Sequence, residues 1–192
     1  TFTLMDTTTH HDDLATAYDR AAAPLTELID SVPTEGWDAP SPCEGWAARD
    51  VLGHVVDAQR SFLSDKGADL GEAPDVASDP AVAWHRHLEA VRPVVADEGF
   101  TATAFDGHFG PTTVGETLRR FYVLDMVAHR WDLARAVGTD DAFTGDELDL
   151  LEAGLEGFGD AKYATGVFAA GVEAPEGADR QTRVLAVMGR TA

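Results

Sequence analysis

Asp125 and His129 stand four residues apart in the stretch FYVLDMVAHRWDLARAVG, residues 121–138. This stretch has no Pro or Gly before Gly138 and is rich in Leu, Ala, Met and Arg, which predicts a helix. Four-residue spacing puts both side chains on one face, with Cβ atoms about 5–6 Å apart. The apolar stripe runs through Leu118, Phe121/Tyr122, Leu133 and Ala136, and Asp125 and His129 interrupt it from the inside. A carboxylate and an imidazole facing a core need a shared partner, because an unpaired buried charge is costly. A divalent cation suits both. Taken alone, D-x-x-x-H reads first as a pair that satisfies itself; the rest of the sequence shifts that reading.

A third residue joins them. The helix predicted over Ala47 to Ser64 has its seam at Val51, His54, Ala58 and Ser61/Phe62, so His54 also lies on an apolar face. Helical bundles build metal sites from side chains on facing helices. Two imidazoles and one carboxylate suit Zn²⁺ first, then Ni²⁺ or Fe²⁺. Three protein ligands leave coordination positions open, as catalytic metals require. Tyr122, one turn before Asp125, is a candidate hydrogen-bond donor near such a metal. His108, between Gly107 and Gly110, is a candidate general base or substrate residue. Arg130 and Arg135 are read as surface ion-pair partners, with an anionic substrate as the alternative. His10 with His11, and His85 with His87, are read as ordinary terminal and surface residues. Cys43, just before the second helix, is read as a small hydrophobe at the bundle end, away from the ligands.

The elements that must position these residues are all helical. A frayed arm over residues 1–11 precedes a helix from Asp12 to Val32, with a kink expected at Pro24. WDAPSPCEGW, residues 37–46, is a loop whose two tryptophans pack onto the bundle. Asp79-Pro80 starts a third helix running to about Asp97, with Trp84, Leu88, Val91 and Val95 inward. Gly99 to Pro111 is an irregular, short extended excursion. Thr113 with Glu116 forms a capping box that opens the fourth helix, closed by Gly138. Thr144 starts a fifth helix, Lys162 to Gly177 is loosely structured, and Asp179 to Met188 forms a last short helix. The expectation is a single domain over 1–192, an all-α four-helix bundle with additional C-terminal helices.

Bulk properties restrict the partners. The chain of 192 residues carries 34 acidic against 14 basic residues, a net charge of −20, with no basic cluster for a phosphate backbone. No nucleic-acid partner is expected. No run of about 18 apolar residues and no basic amphipathic stretch suggests a membrane. The opening residues lack the basic and apolar regions of a signal peptide. One cysteine excludes an internal disulfide, and the expected location is the cytoplasm.

The wider pattern is more specific. PSPCEGWAARDVLGH, followed some seventy residues later by LDMVAHRWDLARAVG, resembles the DinB-like superfamily. In particular it is similar to the branch of the mycothiol-dependent maleylpyruvate isomerase N-terminal domain, with its P-x-P-C-x-G-W loop, ligand histidine and later carboxylate-x-x-x-His followed by WDLA. QTRVLAVMGR is similar to the tails of small stand-alone members. The resemblance implies a DinB-like bundle with metal ligands at His54, Asp125 and His129. The isomerase has Glu where this chain has the shorter Asp125. It also carries a further C-terminal domain, which this chain is expected to be too short to contain.

These readings converge on a metal-dependent enzyme in which a bundle-core cation activates a low-molecular-weight thiol, mycothiol or another, for S-transfer, conjugation or isomerisation. Its partners would be a small thiol and an electrophilic substrate, and the protein a monomer or homodimer. The alternatives are a metal-dependent hydrolase that activates water, and a non-catalytic metal or small-ligand binder. A fourth protein ligand would favour a closed structural site, and an open position an enzyme.

Overall fold

A computed structural model gives the fold and describes residues 13–159, 163 and 170–192. The frayed arm with His10 and His11, and much of Lys162 to Gly177, lie outside the described residues. The protein is all-α and DinB-like, with one small hairpin among the described residues.

Helix α1 (Leu14–Ser31) is capped by Asp13, one residue beyond the expected Asp12, through a 2.9 Å bond from the Thr16 amide. Pro24 removes one backbone donor but does not end the helix. A short 3₁₀ turn (Thr34–Asp38) and the tryptophan loop lead to α2 (Ala48–Asp65). Helix α3 (Pro80–Ala96) begins at the expected Asp79 cap with proline in the first turn. After the one-turn α4 (Glu98–Thr101), the excursion resolves into a hairpin, β1 (Ala104–Gly107) and β2 (Gly110–Thr113), antiparallel with Phe105 opposite Thr112.

The expected single helix from Thr113 to Gly138 is divided. Its capping box forms as read, with Glu116 N–H on Thr113 and Thr113 N–H on Glu116, both at 3.1 Å. One turn of α-helix, α5 (Val114–Thr117), then widens into a π-helical segment (Leu118–Val123) before α6 (Leu124–Val137). Gly138 closes it at φ 70°, the left-handed conformation that glycine adopts without strain. Helix α7 (Gly145–Phe158) opens on its own capping box, Thr144 with Glu147, and α8 (Arg180–Val187) follows.

Helix α6 lies at the centre, against α1, α2 and α7. It is buried almost all round, from Met126 to Ala134, rather than along one stripe. This corrects two expectations. Arg130 is a buried residue: its guanidinium forks onto Glu147 at 2.7 and 2.9 Å and donates to the Ala142 carbonyl. His87 is fully buried, unlike exposed His85, which bonds Asp30 at 2.8 Å. Trp84, His87, Leu88 and Val91 share one face of α3, so His87 follows the apolar stripe inward. It stacks on Trp84 and bonds Gln59 Oε1 at 3.0 Å, an oxygen that also accepts from Tyr18 at 2.6 Å. Burial pushes the His87 pKa down to about 3, so the ring is neutral. Arg135 pairs with Asp141 at the surface, as expected.

Candidate functional site

His54 projects from the middle of α2, and Asp125 and His129 from the first half of α6. The neighbouring helices bring them together. His54 Nε2 lies 3.6 Å from Asp125 Oδ2, and His129 Nε2 lies 3.3 Å from Asp125 Oδ1. One donor atom of each falls within 4.8 Å of the others. Exposure is graded: the side chains of His54 and Asp125 are 39% and 30% exposed, and that of His129 is 10% exposed. Among the described residues no fourth His, Cys, Asp or Glu joins all three, and the His54–Asp125 side opens to a cleft. The donor set therefore fits a divalent cation with coordination positions to spare.

A second tier fixes His129. Its Nδ1 donates to Asp132 Oδ2 at 2.9 Å, and Asp132 accepts a fork from Arg190 at 2.8 and 2.5 Å. Burial alone would raise the Asp132 pKa, but the bonds from Arg190 and His129 outweigh it and hold it at about 2. An ionised carboxylate only accepts, so the proton stays on Nδ1 and Nε2 faces Asp125. Carboxylate–histidine pairs of this kind orient metal-bound imidazoles. Burial would also raise the Asp125 pKa. His129 and His54 overcome that and hold it below the usual carboxylate range. Burial opposes protonation of His129, but the charge and hydrogen bond of Asp125, then the bonds to Asp132 and Cys43, raise its pKa well above the ordinary value.

The tryptophan loop closes one side. Cys43 to Trp46 forms a tight turn with Trp46 N–H on the Cys43 carbonyl at 3.0 Å and Gly45 at φ 78°. Positive φ at the third position is a type II feature that favours glycine. The turn sets the Trp46 ring 5.1 Å from that of His54 and 6.3 Å from that of His129. It also corrects the placing of Cys43. The thiol is not remote: its Sγ lies within 4.8 Å of donor atoms of His129 and Asp132.

Tyr122 and His108 line the adjoining cleft without joining the three. Tyr122 stacks on Phe62 at 5.0 Å, and its hydroxyl makes no hydrogen bond among the described residues. Burial, with Asp125 and Asp65 nearby, pushes its pKa up to about 12. The π-helical segment ends one residue beyond it, inserting an extra residue just before Asp125; such segments recur at functional sites. His108 sits exposed at the hairpin tip, edge-on to Phe109 at 4.8 Å.

The mycothiol maleylpyruvate isomerase N-terminal domain family matches residues 18–134, more than half of the chain and all three converging residues. The chain belongs to that family. Two uncharacterized proteins of Mycobacterium tuberculosis, one from strain CDC 1551 / Oshkosh and one from strain H37Rv, are similar to it. Each is 28% identical over 123 residues, which cover 64% of this chain and 66% of the relative, just under two thirds of its length. No solved structure matches it. For this family member, the sequence reading missed Asp132 and Arg190. Asp132 lies three residues after His129, a spacing that shares a helix face. Arg190 is 58 residues away from it and carries no local signal.

Proposed function

We propose that this chain is a metal-dependent enzyme, a thiol transferase or isomerase, in which His54, Asp125 and His129 hold a divalent cation, Zn²⁺ before Ni²⁺ or Fe²⁺. The observation that supports it most is the three-donor cluster with one open side and an imidazole locked by Asp132 and Arg190. Such a cation would lower the pKa of a bound low-molecular-weight thiol, mycothiol or another, so that it reacts as thiolate near neutral pH. The chain's residues do the rest. Asp125 and His129 supply the inner donors, His54 supplies the donor at the cleft wall, and Trp46 limits solvent on the loop side. In S-transfer the sulfur–carbon bond forms as the leaving group departs with its electron pair, and the thiol proton passes to water. The protein is proposed to act as a single domain, a monomer or homodimer in the cytoplasm, on a small electrophile and not on nucleic acid or membrane. Among the described residues no helix is long and apolar enough to cross a membrane.

The contact of Cys43 with His129 supports a second reading, in which Cys43 is the nucleophile, His129 the base and Asp132 its orienting carboxylate. The two readings use His129 differently and separate cleanly. Purified protein, zinc and a panel of small thiols are assayed for consumption of a chlorodinitrobenzene or haloalkane acceptor. Activity that survives Cys43→Ala and vanishes in His54→Ala and Asp125→Ala supports the metal–thiol reading. Activity that needs Cys43 and persists in the ligand variants overturns it.

A further inference from the structure

The cleft that opens beside His54 and Asp125 measures about 1340 Å³, above the roughly 300–1,000 Å³ of typical small-molecule sites. An ion and a small thiol leave most of it empty. Its walls are rings from four elements: α2, the hairpin, the π-helical segment and α7. Phe62 of α2 stacks with Tyr122 at 5.0 Å, and Phe109 of the hairpin stacks with Phe121 at 5.8 Å, with Phe105 and Phe158 beside them. Flat apolar walls of this kind favour a planar ring system.

The charges in the cleft point to one more feature. Asp125 belongs to the cation cluster, Glu116 to the Thr113 capping box, and Asp149 pairs with Arg180. Arg120 donates to the Gly157 carbonyl at 2.8 Å and lies over Phe158. Asp106 follows Phe105 on β1; it also lines the cleft and is exposed. Lys66 is different. It is half-buried, and its ammonium sits 4.1 Å over the Phe105 ring and 5.6 Å over Phe62, with no carboxylate paired to it among the described residues. In a chain of net charge −20 with only two lysines, an ammonium without an acid partner inside an aromatic cleft is not explained by surface pairing. His54 and Lys66 lie twelve residues apart along α2 and its cap, about 18 Å of helix axis.

We propose that this cleft is the acceptor subsite, and that the acceptor is an elongated aromatic carboxylate. Its rings lie between the Phe62–Tyr122 and Phe109–Phe121 pairs, its anionic end meets Lys66, and its far end reaches His54. Lys66 is then the specificity-determining residue. The inference rests on the thiol-transfer reading for the word acceptor, but its test needs neither thiol nor turnover, so the two can fail separately. Calorimetric titration compares 4-biphenylcarboxylate with the neutral 4-biphenylcarboxamide, on zinc-loaded and on chelated protein. The carboxylate is expected to bind about tenfold or more tightly than the amide, the range of a charge-assisted hydrogen bond. Lys66→Met should bring the two ligands level while amide binding stays unchanged, and Lys66→Arg should restore the preference. Both preferences should persist after chelation. Failure of both probes to bind, equal binding to wild type, or a preference that survives Lys66→Met but disappears with chelation would overturn the proposal; in the last case the carboxylate is held by the cation.

Discussion

His129 acts through the company it keeps. Its Nδ1 is tied to Asp132, and Asp132 to Arg190, so the outward nitrogen has one orientation. Outer partners of this kind are worth about 10–100-fold in metal affinity. Asp132→Asn is therefore expected to weaken zinc binding within that range while leaving the helical circular dichroism unchanged. Competition with a chromogenic chelator measures it, and wild-type affinity in the variant would contradict the role given to Asp132. His87 yields a pH prediction from a residue outside the three-donor cluster. Its folded pKa, about 3, lies below the ordinary 6.5, so the unfolded chain binds the proton first as pH falls. The stability it contributes is complete above about pH 6.5 and is lost progressively toward pH 3. His87→Gln keeps a donor for Gln59 and removes the titration. Its stability should fall with acid less steeply than wild type between pH 6 and 4, by up to about 1.4 kcal/mol per pH unit. Parallel urea-denaturation series at these pH values check it. The convergence of His54, Asp125 and His129 was legible because three polar residues interrupted apolar stripes. His87 was not, because its hydrogen bond to Gln59 and its stack on Trp84 are tertiary contacts that no local spacing encodes.

Two glycines in helix interiors have opposite roles at the level of elements. A Cβ on Gly53, beside His54 on α2, would meet nothing within 4 Å, whereas a Cβ on Gly154 of α7 would come 2.0 Å from Leu124 Cδ1. Gly in a helix costs about 0.5–1 kcal/mol against Ala. Gly53→Ala should therefore raise the melting temperature. Gly154→Ala should lower it, because overpacking a core contact costs about 1–3 kcal/mol and outweighs the propensity gain. Leu124 precedes Asp125, so the second variant should also loosen cation binding. Thermal melts of both test the pair, and a rise in both would contradict the close α6–α7 contact. Helix starts were legible from Asp79-Pro80, Thr113-x-x-Glu116 and Thr144, whose caps are local chemistry. The π-helical widening before Asp125 was not. It depends on how the helix meets its neighbours, and the residues Leu118–Val123 are ordinary helix formers.

Across the whole molecule, the apolar faces of α1, α2, α3 and α6 close on each other without help from an ion, with Trp84 and Trp131 fully buried among them. Folding without metal is thus expected, and a bound cation would add to a fold already formed. The all-α architecture was legible from helical periodicity. The aromatic cleft was not, because its rings come from α2, the hairpin, the π-helical segment and α7, which only the tertiary fold brings together. A ligand that binds only the folded chain stabilises it by RT ln(1 + [M]/Kd), about 2.7 kcal/mol at a hundredfold excess over Kd. For a chain of this size that corresponds to about 5–10 °C in melting temperature. The most direct measurement is the melting temperature of zinc-loaded wild type and His129→Ala, each with and without a strong chelator. Wild type should fall on chelation and His129→Ala should not move. An equal fall in both, or no fall in wild type, would contradict a cation held by His54, Asp125 and His129.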